Sequence, residues 1–142
     1  MQTSARNQFS GHVTALTKGA VNDEVVLKTA DGLEVVAIIT SGSALSLGLS
    51  VGKAATALVK ASSVILMVDV SAAQVSARNC VGGVVKSIEK GAVNSEVIVT
   101  SPSGAEVASI ITNNSVDRLQ LSVGKPAMAI FKASSVLIAV GA

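Results

Sequence analysis

The tetrapeptide Ser4-Ala5-Arg6-Asn7 returns unchanged as Ser76-Ala77-Arg78-Asn79, and the rest of the chain repeats in step with it. Gly19-Ala20-Val21-Asn22 reappears as Gly91-Ala92-Val93-Asn94, and Lys60-Ala61-Ser62-Ser63 as Lys132-Ala133-Ser134-Ser135. The offset is 72 residues throughout, with no gap from Ser4 to Val68, and about half of the aligned positions are identical. A repeat of this kind fixes the architecture before any local signal is weighed. The 142 residues are two copies of one small unit: residues 1–68, a linker at 69–75, and residues 76–142.

A unit of this size buries only about 60% of the surface its unfolded chain exposes and is marginal alone. The remedies are disulfides, metals or association. Cys80 is the only cysteine, with Gln8 at its counterpart, and His12 is the only histidine, with Val84 at its counterpart. That leaves no intrachain disulfide and no clustered cation ligands. Association remains, and 49% apolar against 14% charged residues points the same way. The copies are therefore expected to pack as a rigid pair, and whole chains to assemble.

Fully apolar runs such as Val35–Ile39 are far shorter than the ~18 residues a spanning helix requires. Met1-Gln2-Thr3-Ser4 is not a basic segment leading into an apolar core, so no signal peptide is read there, and the cytoplasm is the expected compartment. A net charge of +2 argues against a polyanion-binding surface. With no Trp or Tyr and only Phe9 and Phe131, the chain lacks stacking platforms for single-stranded nucleic acid.

Within one copy, Phe9–Leu16 alternates as a strand, and Lys18–Asn22 is a turn. Glu24–Thr29 is a second strand, and Asp31-Gly32 marks a hairpin into a third, Leu33–Thr40, apolar on both faces over Val35–Ile39. Ser43–Leu47 is a short helix with Ser43 as its expected N-cap. Ser115 takes that role in the second copy, with Asp117 expected near the helix N-terminus. Ala54–Lys60 and Ser63–Val68 are the fourth and fifth strands, and Pro126 opens the fourth strand of the second copy. The fold class is all-β: two tandem OB-like five-stranded Greek-key barrels, each with one short helix between strands 3 and 4.

No catalytic constellation is present, because His12 and Cys80 each lack a counterpart; the expectation is a protein that is not an enzyme. Glu24, Glu96, Glu34 and Glu106 read as solvated or turn-stabilising, and Lys18, Lys90, Lys53 and Lys125 as solvated surface beside turn glycines. What recurs without a packing reason is donors. Ser4 and Arg6, then Lys60, Ser62 and Ser63, return as Ser76, Arg78, Lys132, Ser134 and Ser135. Hydroxyls, a guanidinium fork and an ammonium beside small alanines suit a compact tetrahedral oxyanion.

These blocks resemble the Mop domain of the molbindins. Ser-Ala-Arg-Asn, Gly-Ala-Val-Asn-x-Glu-Val, Ile-Ile-Thr and Lys-Ala-Ser-Ser-Val occur in order in both copies, over Ser4–Val68 and Ser76–Val140. The resemblance implies cytoplasmic binding of molybdate and its analogue tungstate, for molybdenum storage or homeostasis, with no further cofactor. It also implies a ring of six domains, hence a homotrimer; from the composition, neither nucleic acid nor membrane is expected as a partner. One class of family site lies between domains. Carried over, it comprises Ser4, Ala5, Arg6, Thr40, Lys60, Ala61 and Ser62, with Ser76, Ala77, Arg78, Thr112, Lys132, Ala133 and Ser134 in the second copy. A second class, on the threefold axis, is assigned to Gly19, Ala20, Val21 and Asn22 and to Gly91, Ala92, Val93 and Asn94.

Two other readings compete. An OB-type nucleic-acid-binding module is opposed by the missing aromatics and low charge, and a purely structural self-assembling unit would respond to no oxyanion. A molybdenum-pterin would want a stacking slot that the sequence does not offer.

Overall fold

The structure is a computed structural model that describes residues 1–141. Its strands are β1 (Asn7–Lys18), β2 (Asn22–Thr29), β3 (Glu34–Thr40), β4 (Ala54–Val59) and β5 (Ile65–Met67), repeated as β6 (Asn79–Lys90), β7 (Asn94–Thr100), β8 (Glu106–Thr112), β9 (Pro126–Phe131) and β10 (Leu137–Ala139). Short helices α1 (Ser41–Ser46) and α2 (Asn113–Arg118) fall between the third and fourth strands of each copy. Every strand pairing is antiparallel, in two five-stranded sheets ordered β10-β4-β1-β2-β3 and β5-β9-β6-β7-β8. The all-β expectation, with OB-like sheets and one helix after each third strand, holds.

The chain forms two compact units, and these are cut differently from the repeats. Unit 1 consists of Met1–Val59 and the chain from Lys132 onward; unit 2 is Lys60–Phe131. Each unit thus takes its fifth strand from the other repeat: β10 pairs with β4 in unit 1, and β5 with β9 in unit 2. The two fifth strands are near-equivalent, Ile65-Leu66 against Leu137-Ile138, so the sequence pattern does not favour one sheet edge over the other. In each unit the sheet curls until its two edges approach, β10 to β3 and β5 to β8, which leaves a barrel with little unpaired edge.

Alternation supplies the cores. Val13, Val25, Leu27, Val35 and Val59 are fully buried in unit 1, and Val85, Val97, Val99, Val107 and Phe131 in unit 2. Each core holds one phenylalanine, but on adjacent strands. Unit 1 combines Phe9 on β1 with Val59 on β4, and unit 2 combines Val81 on β6 with Phe131 on β9. The exchange conserves volume, the kind of swap that cores tolerate best.

The long first strand bends at a shift of register between Val13 and Ala15, and at the same place in β6, between Val85 and Ser87. Just before the bend, β1 runs hard against β2. A Cβ on Gly11 would sit 2.1 Å from the Lys28 carbonyl oxygen, and one on Gly83 2.0 Å from that of Thr100, so only glycine fits.

The helix starts differ from expectation. Thr40 rather than Ser43 is the N-cap of α1, accepting from the Ser43 N–H at 3.1 Å, and Thr112 caps α2 the same way through Ser115. The helices begin two residues earlier than composition suggests, because the threonine ending the third strand is already in extended geometry. For the same reason Asp117 lies beyond the first turn of α2. The fifth strands are also shorter than expected. Ala61–Ser63 and Ala133–Ser135 are 3₁₀ turns that carry the chain out of β4 and β9.

Candidate anion-binding site

In unit 1 the motif Ser4-Ala5-Arg6 leads directly into β1, where Asn7 is buried and pairs with Val59. Ser4 and Arg6 are exposed and Ala5 half-buried. The Ala5 N–H donates to Thr3 Oγ1 at 3.1 Å, and Gln8 Nε2 donates to the Ala5 carbonyl at 2.9 Å. Ser76-Ala77-Arg78 leads into β6 of unit 2 at the matching place, before buried Asn79, with Val75 where unit 1 has Thr3 and with Cys80 Sγ donating to the Ala77 carbonyl at 3.4 Å.

The Lys-Ala-Ser segments are the 3₁₀ turns. In each, the first internal bond runs from the second serine to the lysine carbonyl, Ser135 to Lys132 and Ser63 to Lys60, both at 2.9 Å. The N–H groups of the alanine and first serine therefore precede the turn's own bonds, as at the start of any helix. Ala133 and Ala61 are buried anchors, while Lys132, Ser134, Lys60 and Ser62 are exposed. The turn at 133–135 packs beside β3 in unit 1, and the turn at 61–63 beside β8 in unit 2.

The residues are thus regrouped. Unit 1 contains Ser4, Ala5, Arg6, Thr40, Lys132, Ala133 and Ser134, and unit 2 contains Ser76, Ala77, Arg78, Thr112, Lys60, Ala61 and Ser62. Grouping by repeat would have kept Lys60 with Arg6; grouping by unit gives each barrel one arginine and one lysine drawn from different repeats. One guanidinium, one ammonium and several hydroxyls are the kinds of donor that a dianion accepts from.

Thr40 and Thr112 carry a second duty. Besides accepting from the serine N–H, the Thr40 hydroxyl donates to Ser43 Oγ at 2.8 Å and that of Thr112 to Ser115 Oγ at 2.9 Å. Its single proton is thereby committed. For either threonine to donate to an anion it must release the serine hydroxyl, while the bond that caps the helix can persist.

The turn Gly19–Asn22 and its counterpart Gly91–Asn94 are exposed, with Val21 73% and Val93 70% accessible. They are tied to the helices by Ser41 N–H to the Val21 carbonyl at 2.9 Å and Asn113 N–H to the Val93 carbonyl at 2.8 Å. Behind the first turn lies a cavity of about 240 Å³, lined by Lys18, Gly19, Ser41 and Leu45, and also by Asp23, which is only 2% exposed. Asp23 Oδ1 accepts from Ser41 Oγ at 2.6 Å and from the Gly19 N–H at 3.3 Å. In unit 2 the same bond is made by neutral groups: Ser95 Oγ donates to Asn113 Oδ1 at 2.5 Å, and Asn113 Nδ2 donates to the Gly91 carbonyl at 2.9 Å. Sequence reasoning passed over Asp23, although the paired change of 23 with 41 into 95 with 113 was its signal.

Lys53 and Lys125 are not free surface charges. Each is half-buried, and its ammonium donates at 2.8 Å to the carbonyl of Leu47 or Leu119, closing the C-terminus of the short helix. Lys18 and Lys90 are exposed, as expected. Among the described residues no group of three or more His, Cys, Asp or Glu could hold a metal ion, and no helix is long and apolar enough to cross a membrane.

The sequence pattern of the TOBE domain matches twice, over residues 3–66 and 75–138. The chain belongs to the TOBE-domain family. Both TOBE domains align with a solved structure of the cytoplasmic molybdate-binding protein ModG with molybdate bound. The identity is 46% and the TM-score 0.93, over 99% of this chain and 100% of ModG. The molybdenum transport protein ModE of Herbaspirillum seropedicae is 44% identical over 140 residues, 99% of this chain and 52% of that protein. The DNA-binding transcriptional dual regulator ModE of Escherichia coli K12 is 37% identical over 98% of this chain and 52% of its own length. The chain spans about half the length of these curated relatives. The resemblance read from the repeated blocks therefore holds across both TOBE domains.

Proposed function

We propose that this chain binds molybdate, and tungstate as its analogue, through the donor set of each unit, as an oxyanion store rather than an enzyme. One observation carries the reading. Each unit contains one copy of the Ser-Ala-Arg motif, the threonine and the Lys-Ala-Ser turn, on a backbone that follows molybdate-bound ModG over its full length, and this supports the reading. The reading includes a homotrimer of six domains in the cytoplasm, donor sets completed where domains meet, and secondary anion contacts at Gly19–Asn22 and Gly91–Asn94.

The chemistry follows from a site made of donors. Molybdate at neutral pH is fully deprotonated, so every oxygen can accept. Hydrogen phosphate presents a proton that such a site cannot receive, and an unpaired buried polar group costs about 1–3 kcal/mol. Sulfate has no such proton and is discriminated by size or geometry. An anion bound only by the assembled protein also stabilises that assembly by mass action.

The DNA binding named for the E. coli relative is assigned in this reading to the half of that protein outside the match. The basis is that this chain has a net charge of only +2 and no Trp or Tyr. Arg6→Ala with Arg78→Ala tests the donor assignment: molybdate affinity is expected to fall at least tenfold, and unchanged affinity refutes it. A single-stranded oligonucleotide titration showing salt-sensitive binding would favour the nucleic-acid reading instead.

A further inference from the structure

Position 8 is glutamine in the first repeat and its counterpart, position 80, is cysteine, yet the two side chains make the same bond. Gln8 Nε2 reaches the Ala5 carbonyl at 2.9 Å in unit 1, and Cys80 Sγ reaches the Ala77 carbonyl at 3.4 Å in unit 2. Both span three residues back onto the middle of Ser-Ala-Arg. That carbonyl is an acceptor inside a motif otherwise suited to donating. In a planar trans peptide the C=O and the following N–H point in opposite directions. Tying the Ala5 carbonyl to Gln8 therefore turns the Arg6 N–H to the other side of the chain, and Cys80 does the same for Arg78.

We infer that Gln8 and Cys80 are positioning residues for the Ser-Ala-Arg motif, and that their unequal donor strength gives the two units unequal affinity for the anion. The inference rests on the molybdate reading above. An amide N–H is a full hydrogen-bond donor, whereas a thiol is a weak one. Unit 1 holds its motif in the orientation that keeps the carbonyl away from a dianion, and unit 2 holds it more loosely. Cys80 is half-buried and free, so alkylating its thiol removes the tie in unit 2 alone.

The test is a calorimetric molybdate titration of the full chain and of Cys80→Gln, Cys80→Ala, Gln8→Cys and Gln8→Ala, with the melting temperature of each measured without anion. Beside the secondary contacts at Gly19–Asn22 and Gly91–Asn94, which none of these substitutions touches, the wild type is expected to show two classes of site, one for each unit. Cys80→Gln should merge them towards the tighter class, and Gln8→Cys should merge them towards the weaker. Cys80→Ala should weaken only the weaker class, by roughly three- to tenfold, the worth of one modest hydrogen bond. Gln8→Ala should do the same to the tighter class. A merely structural role would instead lower melting temperature and both classes together, without rescue by Cys80→Gln, and would overturn the inference. So would wild-type molybdate binding that none of the four variants alters. A wild type that binds no molybdate defeats the underlying reading itself, a result distinguishable from either of these.

Discussion

Single residues set where the backbone can pass and which ends are closed. Gly11 and Gly83 stand where β1 and β6 press on the carbonyls of the next strand, so Gly11→Ala should destabilise unit 1 by about 1–3 kcal/mol in chemical denaturation. Lys53 and Lys125 close the helices through charge-assisted bonds to carbonyls, and Lys125→Met should cost about 1 kcal/mol while leaving the apolar stem packed. Sequence reasoning placed both lysines on the surface, because a lysine beside a turn glycine carries no signal of the helix end across from it. Asp31 shows the opposite case. Its hairpin role was legible from Asp-Gly, and the Thr29 hydroxyl, then the Leu33 N–H, hold its carboxyl below the ordinary aspartate value. A group depressed in this way favours the hairpin above its ordinary pKa and loses that effect as pH falls through the native one. NMR titration should accordingly find Asp31 ionising at lower pH than a solvated aspartate.

At the scale of elements, strands and their order could be read from alternation, Asp-Gly and turn glycines, but the caps could not. Threonine at a strand end and serine three residues on both look like caps, and only the extended backbone of Thr40 and Thr112 decides between them. Thr112→Ala should cost about 1 kcal/mol in stability even without anion, and Ser115→Ala less, since the N–H it contributes to the cap is main chain. The exchanged positions of phenylalanine and valine make a second element-scale prediction. Phe9→Val alone leaves a cavity and should cost on the order of 1–3 kcal/mol. Adding Val59→Phe reproduces the unit 2 arrangement and should recover most of that loss in denaturant titration.

For the whole molecule, the 72-residue repeat announced two barrels but not which strand closes which. The fifth strands are short, apolar and nearly alike, so pattern gives no reason to prefer one sheet edge over the other; pairing β10 with β4 and β5 with β9 is a matter of chain path. The proposed donors could be picked out because the polar Ser-Ala-Arg recurs ahead of each first strand without a place in the core. Their distribution into units could not, since it follows the strand closure. Each unit is consequently predicted to bind through residues of both repeats. The most direct measurement is calorimetric titration of the wild-type chain with molybdate at moderate salt, with sulfate and phosphate as controls. Tight, saturable binding of molybdate alone, at more than one ion per chain, is the predicted result. Equal heats from all three anions, or none from molybdate and no rise in melting temperature, would contradict it.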